Sequence, residues 1–286
     1  RQMLTTSYEM LKKAYKGRYA VPAINTQGGT YDIIRAICMA AEELQSPVIL
    51  AHYVSTGEYS GHDWFYETAK WMAEKVSVPV AIHLDHGDSF ERCMEMLHLG
   101  FTSIMYDGSN YPVEENARRT EEVAKVCRAF HVPLEAEIGE LARLDDQGMQ
   151  IGSSNIADPE VVKQYLQLCQ PDSLAIGIGN AHGFYKGPVD IHVEVLEECR
   201  KFTEIPFVLH GCTGMDESLI QRSIQSGVAK INFGTQVRCK YVEYLKQGLA
   251  EKKDGGHAWK LSSYAEQCLR EDIKEIIRLA GSQGKA

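Results

Sequence analysis

The sequence of 286 residues lacks the features that mark several large classes of protein. No uninterrupted apolar stretch approaches the roughly 18 residues that span a bilayer, so we expect no membrane-spanning segment. The chain has no excess of basic residues: its net charge is -9, which disfavours broad electrostatic binding to nucleic acid or to a membrane surface. The first twenty residues contain no long apolar run, so we also expect no signal peptide.

Two further absences concern cysteine and glycine patterns. The eight cysteines are scattered and form no C-x-x-C pair. In a chain long enough to bury a core without disulfides, this predicts reduced, mostly buried thiols and a cytoplasmic protein. No G-x-G-x-x-G follows the first predicted strand, which argues against a doubly wound dinucleotide-binding sheet, the rival to the fold described below.

Eight short apolar runs rich in Val and Ile recur along the chain and are predicted to be strands. Most are near-continuous in hydrophobicity, as expected for strands of a parallel sheet that are buried on both faces. The eight runs cover residues 19–25, 46–51, 78–85, 102–107, 132–139, 173–179, 205–211 and 229–235.

Segments with helical spacing separate these strands. Ser89, Asp158 and Asp216 are predicted helix N-caps, and Asp158 is followed by a proline at the first helical position. Eight strands that alternate with helices over about 250 residues are typical of a (β/α)8 barrel. We therefore predict an α/β protein with a single TIM barrel, one domain over residues 1–286, and an extra C-terminal helix after residue 255.

Polar residues gather where the predicted strands end, and in a barrel these ends carry the chemistry. Five of the ten histidines lie at or just after such an end. The positions are Asn25, His52, His83, Asp85, His86, Asp107, Glu137, His182, His210 and Asn232. Since His86, His182 and His210 follow three different strands, we expect them to converge on one mouth.

Three histidines that face one cavity suit zinc, because neutral imidazoles supply three ligands and leave a fourth position open. Such a metal can act as a Lewis acid on a carbonyl or an enediolate. Asp107 and Glu137 are predicted to orient the histidines or to hold a displaced metal. Asp85 precedes His86, and neighbouring residues point apart on a pleated strand, so we expect Asp85 to be an acid/base group rather than a ligand.

Glycine-containing turns follow the sixth, seventh and eighth predicted strands. Glycines let backbone N–H groups approach an anion, and Thr213 and Thr235 add hydroxyl donors. Barrels often bind phosphate with the loops after strands seven and eight. The predicted phosphate contacts are Gly183, Lys186, Gly211, Thr213, Gly234 and Thr235. The metal, Lys186 and Arg238 are the local cations that an acidic protein needs there.

Together these motifs resemble the class II, zinc-dependent ketose-bisphosphate aldolases, which include fructose- and tagatose-bisphosphate aldolases. The resemblance runs from about residue 5 to the C-terminus. The motifs that carry it are AVPAIN, SPVIL, HLDHGDS, DGS, EAEIG, GNAHGFYK, VLHGCTG and KINFGT. It implies a (β/α)8 barrel that cleaves and forms the C3–C4 bond of a phosphorylated ketose. The products are dihydroxyacetone phosphate and an aldehyde, formed through a metal-stabilised enediolate.

The resemblance also implies roles for single residues. The zinc ligands correspond to His86, His182 and His210. Asp85 corresponds to the group that moves the C4 hydroxyl proton, and Asn232 to a contact of the enediolate. The resemblance further implies a monovalent cation, Na⁺ or K⁺, near the phosphate, and a homodimer or homotetramer. A Schiff-base role for Lys230, as in class I aldolases, is not needed because metal chemistry already accounts for the histidines.

Departures from the family concentrate on substrate choice. Gly234 replaces the Asp typical of fructose-bisphosphate enzymes, whereas tagatose-type enzymes have a small residue there. Tyr53 takes the place of a Ser or Thr that meets the distal phosphate, and Asp145 that of a catalytic Glu on the family's mobile loop. Thr213 replaces a Ser but keeps its hydroxyl, and Arg238 matches the arginine that the family sends toward the distal phosphate.

We therefore predict an open distal pocket, contacted by Asn25, Tyr53 and Arg238, for an aldehyde without a phosphate or with a carboxylate instead. Other functions remain open. One is a fructose- or tagatose-bisphosphate aldolase proper, with or without a partner subunit. Another is a non-catalytic sugar-phosphate-binding relative. A metal-dependent hydrolase on a similar barrel usually has His-x-His on the first strand. The first predicted strand of this chain ends in Asn25 and has no histidine, which speaks against a hydrolase.

Overall fold

The computed structural model of the chain describes residues 4–139, 141–144, 150–151, 156–185 and 190–286, with the backbone alone for 142–144 and 150–151. The predicted site residues Asp145 and Lys186 lie outside the described residues. Within these ranges, no helix combines the length and the apolar content needed to cross a bilayer.

Eight parallel strands close into a barrel in the order β1-β11-β10-β8-β5-β4-β3-β2. Their bounds are β1 Val21–Asn25, β2 Val48–Tyr53, β3 Val80–Gly87, β4 Ser103–Tyr106, β5 Leu134–Ile138, β8 Ser173–Ile176, β10 Phe207–Leu209 and β11 Val228–Phe233. Each overlaps one predicted run, so the (β/α)8 prediction is confirmed and the open sheet is wrong. Three short strands, β6 Ala142–Leu144, β7 Gln150–Ile151 and β9 Ala181–His182, form a small separate sheet in the order β7-β6-β9.

Helices surround the barrel. Those described are α1 Ser7–Gly17, α2 Tyr31–Glu43, α3 Val54–Ser60, α4 His62–Ala73, α5 Phe90–Leu99, α6 Val113–Ala129, α7 Pro159–Leu168, α8 Val193–Cys199, α9 Glu217–Gln225, α10 Thr235–Ala250 and α11 Ala258–Ala280. The extra C-terminal helix is confirmed as α11, which packs against α2 and α10. The sequence did not predict α1 or the short α3.

The predicted helix caps are confirmed. The Ser89 hydroxyl accepts a hydrogen bond from a backbone N–H of α5 at 3.2 Å, and α5 ends at Gly100, whose φ of 105° is left-handed. Asp158 and Asp216 accept the corresponding N–H bonds of α7 and α9. Each cap satisfies an N–H that the helix itself leaves unpaired.

The apolar core has two parts. The larger lies between the barrel and the helices, and it receives the aliphatic side chains that alternate with polar ones along the strands, such as Ile82 and Leu84. The smaller lies inside the barrel at its amino end, where Met10 and Leu11 of α1 pack against Val21. All eight cysteines are free thiols and six are buried, as predicted. With one end filled by α1, the polar side chains gather at the opposite end.

Candidate active site

A cavity of about 740 Å³ opens at the carboxyl end of the barrel strands. Every predicted site residue that the structure describes lines this cavity, except His210, which lies fully buried beside it. Polar residues that are far apart in the sequence are therefore brought together because parallel strands end at the same edge of a barrel.

Three histidines form the centre of the site. The ring of His86 lies 4.8 Å from that of His210 and 5.0 Å from that of His182, and the latter two rings are 6.0 Å apart. One nitrogen from each ring lies within 4.8 Å of the others. Nε2 of His86 is buried and has no hydrogen-bond partner among the residues that the structure describes, which is costly for a polar atom unless a ligand satisfies it. This donor set fits a divalent cation such as zinc with an open coordination position.

The three histidines reach the centre by different routes. His210 follows β10, and His182 lies on the small strand β9 rather than on a barrel strand. His86 lies on β3 where the pairing with β4 shifts register, and its φ is 52°, which is uncommon outside glycine. This bulge turns His86 into the cavity beside Asp85. The expectation that the two side chains point apart is wrong, because it assumed a regular pleat.

Two carboxylates support His86. Asp107 Oδ2 lies 2.7 Å from Nδ1 of His86, while its other oxygen accepts bonds from the backbone N–H and hydroxyl of Ser109 at 3.1 and 2.7 Å. Glu137 is buried, and its Oε2 lies 3.9 Å from the same Nδ1. Within the described part of the chain, this oxygen has no hydrogen-bond partner. His86, Asp107 and Glu137 also form a second group able to hold a cation. The geometry therefore suits both predicted roles, ring orientation and an alternate metal position.

The charges of the site favour a cation. Burial lowers the pKa of His86, but the charge of Asp85 and the hydrogen bond with Asp107 outweigh burial and raise the pKa to about 10. Burial raises the pKa of Asp107, yet the bond with His86 holds it well below its usual range. Burial, and then the charge of Asp107, raise the pKa of Glu137 well above its usual range. Burial, followed by the charge of His86, lowers the pKa of His210, which keeps that ring neutral and able to act as a ligand.

Asp85 lies close to His86 and His210 without a hydrogen bond to either ring. Its Oδ1 is 4.0 Å from Nε2 of His86, 4.0 Å from Nδ1 of His210 and 3.4 Å from the amide nitrogen of Asn232. The carboxylate lines the cavity. It therefore faces the space in which a substrate hydroxyl can approach, which is the geometry that a general base requires.

The glycine turn after β10 is built for close backbone approach. Gly211 has a φ of 67°, and a Cβ at this position would lie 2.2 Å from the carbonyl oxygen of Ala181. The Tyr185 hydroxyl accepts from the N–H of Ala181 at 2.7 Å and lies 3.0 Å from the Gly211 carbonyl oxygen. These contacts fix two of the predicted phosphate turns against each other.

The N-terminus of α10 faces the same part of the cavity. Gly234 caps this 16-residue helix, and both Gly234 and Thr235 line the cavity. The Thr213 hydroxyl accepts the backbone N–H of Gln236 at 3.2 Å, which ties the turn after β10 to the start of the helix. Unpaired N–H groups and the helix dipole make such an N-terminus favourable for an anion.

The side of the cavity near β1 and β2 carries Asn25 and Tyr53. The Tyr53 ring stands edge-on to His86, with centroids 6.3 Å apart. The Asn25 side-chain oxygen accepts two bonds from Gln27, one from its backbone and one from its amide, each 2.9 Å long. Tyr53 therefore narrows the space next to the histidines, whereas Asn25 is held by its own loop.

Charged groups of both signs line the rest of the cavity. Arg238 is exposed and, among the residues that the structure describes, has no ion-pair partner. Glu58 of α3 and Asp88, which follows β3, also line the cavity. The part of the mouth next to β2 and β3 is therefore acidic.

The structure adds two buried residues that the sequence analysis did not place in the site. Glu135 Oε1 lies 2.9 Å from Nε2 of His210, and Lys230 Nζ donates to Glu135 Oε2 at 2.8 Å. Lys230 is 1% exposed and does not line the cavity, which speaks against a Schiff base there. The sequence spacing could have indicated both residues. Glu135 and Lys230 lie two positions before Glu137 and Asn232, and side chains two positions apart lie on the same face of a strand.

Comparison with known sequences decides the family. The family profile described as fructose-bisphosphate aldolase class-II matches residues 5–285. The chain belongs to this family. The fructose-bisphosphate aldolase of Geobacillus stearothermophilus is 36% identical over 287 residues, which cover 99% of both chains. That of Mycoplasma pneumoniae (strain ATCC 29342 / M129 / Subtype 1) is 35% identical over 297 residues, 99% of this chain and all of the relative.

A solved structure agrees with the sequence comparison. The YdjI aldolase from Escherichia coli K12 superposes with a TM-score of 0.85 at 28% identity, over 99% of this chain and 100% of that one. As a member of the class II family, the chain is a carbon–carbon lyase, and this family is generally metal-dependent. The prediction of an aldolase is confirmed, and a non-catalytic relative is not favoured.

Proposed function

We propose that the enzyme reversibly cleaves the C3–C4 bond of a ketose 1-phosphate into dihydroxyacetone phosphate and an aldehyde, with zinc held by His86, His182 and His210. The observation that carries this proposal is the convergence of the three rings, whose centroids are 4.8 to 6.0 Å apart, around a buried and unpartnered nitrogen of His86. The carboxylate of Asp85 stands beside this centre, where a base is needed.

In cleavage, Asp85 takes the proton of the C4 hydroxyl. The C4–O bond becomes a carbonyl, the C3–C4 bond breaks, and its electron pair moves toward the C2 oxygen. A cation held by His86, His182 and His210 would supply Lewis-acid stabilisation of the negative charge that develops there. The Asn232 amide, which lies 3.4 Å from Asp85 Oδ1, is placed to donate to the enediolate. Asp145, outside the described residues, is proposed as the second catalytic carboxylate.

The phosphate of the dihydroxyacetone half is proposed to bind where the glycine turns meet the N-terminus of α10. The contacts are Gly183, Lys186, Gly211, Thr213, Gly234 and Thr235. The left-handed backbone at Gly211 and the N-terminus of α10, where Gly234 and Thr235 line the cavity, support this assignment. A sodium or potassium ion near the phosphate is part of the same proposal.

The aldehyde half is proposed to lack a phosphate and to be neutral or carboxylated. The Tyr53 ring occupies space beside His86. Gly234 has no carboxylate that could bind the hydroxyl groups of a sugar. Glu58 and Asp88 line the mouth and repel a doubly charged phosphate more strongly than a neutral group. Fructose 1,6-bisphosphate, the substrate in the names of the relatives, is the competing candidate.

The test combines zinc-loaded enzyme and dihydroxyacetone phosphate with three aldehydes, and measures condensation by product mass. The aldehydes are glyceraldehyde 3-phosphate, a neutral short sugar and a uronic semialdehyde. We expect a higher kcat/KM for one of the latter two. The matched variant Glu58→Gln/Asp88→Asn should shift preference toward the phosphorylated aldehyde. Preferred turnover of glyceraldehyde 3-phosphate by the unmodified enzyme contradicts the proposed aldehyde half and leaves the aldolase assignment intact.

Three wider properties belong to the same proposal. We propose one domain over residues 1–286, a homodimer or homotetramer, and a cytoplasmic location. The family resemblance supports the assembly, and eight free thiols support a reducing compartment. Light scattering of the purified enzyme measures the subunit count directly.

A further inference from the structure

A second tier of buried polar side chains lies directly beneath the cavity. Strands β3, β5 and β11 each contribute one residue to the cavity and, two positions earlier, one residue to the layer below, because side chains repeat on one face with a period of two. The pairs are His83 and Asp85, Glu135 and Glu137, and Lys230 and Asn232. The three residues of the lower tier are 0%, 2% and 1% exposed.

The lower tier is joined by hydrogen bonds that end on a metal-site histidine. Lys230 Nζ donates to Glu135 Oε2 at 2.8 Å and lies 3.3 Å from Nε2 of His83. The other oxygen of Glu135 lies 2.9 Å from Nε2 of His210. On the opposite side, Nδ1 of His83 lies 2.7 Å from the hydroxyl of Ser103. Lys230 has only donors, so it fixes Glu135 as the acceptor at one end of the chain.

These contacts specify the tautomer of His210. A carboxylate paired with a lysine accepts hydrogen bonds, so Nε2 of His210 carries the proton that points at Glu135. The amide nitrogen of Asn232, a donor, lies 3.1 Å from Nδ1 and 3.4 Å from Nε2, so the nearer nitrogen, Nδ1, carries the lone pair. The amide nitrogen of Asn232 also faces the carboxylate of Asp85 at 3.4 Å. Exchanging the nitrogen and oxygen of this amide would place its oxygen against a carboxylate oxygen, so that orientation is excluded. Two independent neighbours thus agree on which nitrogen of His210 is free for a metal.

We propose that Lys230 and Glu135 are positioning residues that hold His210 in the Nε2–H tautomer and aim its Nδ1 lone pair at the metal. The inference rests on the proposed function. A carboxylate that accepts from the far nitrogen of a ligating histidine orients the ring and raises its basicity. Here Lys230 holds the carboxylate in place from below. For His86 the same role falls to Asp107.

If Lys230 and Glu135 only stabilised the fold, replacing them with apolar side chains would leave the affinity for zinc unchanged. Replacing a buried ion pair with well-packed apolar side chains is often neutral or stabilising. The variant Glu135→Met/Lys230→Met should therefore fold, yet leave Nε2 of His210 without an acceptor. The variant Glu135→Gln/Lys230→Met removes the same charges but keeps a carbonyl oxygen for that proton. The two variants differ in the hydrogen bond to His210 and not in net charge.

The measurement is the affinity of each full-length protein for Zn²⁺, by competition with a chromophoric chelator, and the absorption spectrum of the Co²⁺ form. We expect the methionine pair to bind Zn²⁺ about 10- to 100-fold more weakly and to show an altered Co²⁺ spectrum. The glutamine variant should lose less affinity and keep a spectrum close to the unmodified one. Ile231→Val, between Lys230 and Asn232 but facing the outer core, is the control and should bind normally.

Two results for the double variants would overturn the positioning role of Lys230 and Glu135. Unchanged affinity in the methionine pair overturns the inference, and so does an equal loss in both double variants, since the acceptor would then have no special part. If the methionine pair does not fold, Glu135→Asp withdraws the carboxylate from His210 with charges kept, and unchanged affinity there also overturns it. If the unmodified protein binds no metal, the proposed function itself fails, which is a different result.

Discussion

Replacing Asp85 with Asn removes the proposed base while keeping the shape of the side chain. Asp85 Oδ1 is 4.0 Å from the nearest nitrogen of both His86 and His210, too far for a hydrogen bond to either ring. Among the described residues, Asp85 belongs to neither of the two groups that are able to hold a cation. We therefore expect Asp85→Asn to bind one zinc per chain at saturating metal. Loss of a positioned base costs about 10²- to 10⁴-fold in rate. That corresponds to about 3–5 kcal/mol in the barrier for cleavage.

The assay separates the two half-reactions. Cleavage is followed through reduction of the dihydroxyacetone phosphate formed, and exchange of its hydroxymethyl proton with D₂O is followed by NMR. The variant should lose cleavage and retain exchange, because exchange needs no C4 hydroxyl. Cleavage within tenfold of the unmodified enzyme at saturating zinc refutes the assignment of Asp85 as the base.

Three other predictions follow from single positions. His182→Ala should reduce bound zinc below one per chain, measured by elemental analysis after gel filtration; full retention contradicts its role as a ligand. Gly234→Asp should fold normally, since the one described atom within 4 Å of a Cβ there is Cβ of Asn25, at 3.5 Å. It should raise kcat/KM for fructose 1,6-bisphosphate. Burial lowers the pKa of His52 to about 3, so its stabilising contribution is complete above pH 6.5 and is lost as the pH falls toward 3. Between pH 6.5 and 5, the free energy of unfolding measured in urea should fall by about 2 kcal/mol more in the unmodified protein than in His52→Phe, which keeps the stack on Phe65. Equal decreases in the two proteins would refute this prediction.

The barrel could be predicted because its strands and caps are encoded locally. Runs of Val and Ile, with Ser89, Asp158 and Asp216 at helix starts, gave the order of the elements. Helix α1 was missed, although Met10, Leu11 and Ala14 are its buried face. The contacts that close the barrel join strands that are far apart in the sequence. Only the number of predicted strands, eight, indicated that the sheet closes.

The candidate site was predicted as a set of residues but not as a geometry. Strand ends brought together every described residue of the predicted site, whereas His52, which also lies at a strand end, packs against Phe65 and does not line the cavity. The direction of His86 was wrong because a register shift with a positive φ is set by pairing with β4, which the local sequence does not show. Glu135 and Lys230 were not assigned to the site, since reading the strands as continuous apolar runs hid the alternation of polar residues on their inner face.

The most direct test of the central claim is the metal dependence of proton exchange in dihydroxyacetone phosphate. The enzyme is stripped with a chelator, reloaded with zinc in steps, and incubated with the substrate in D₂O. We expect no exchange in the stripped protein and full recovery at one zinc per chain. Exchange that persists at the same rate without metal contradicts a catalytic cation on the three histidines.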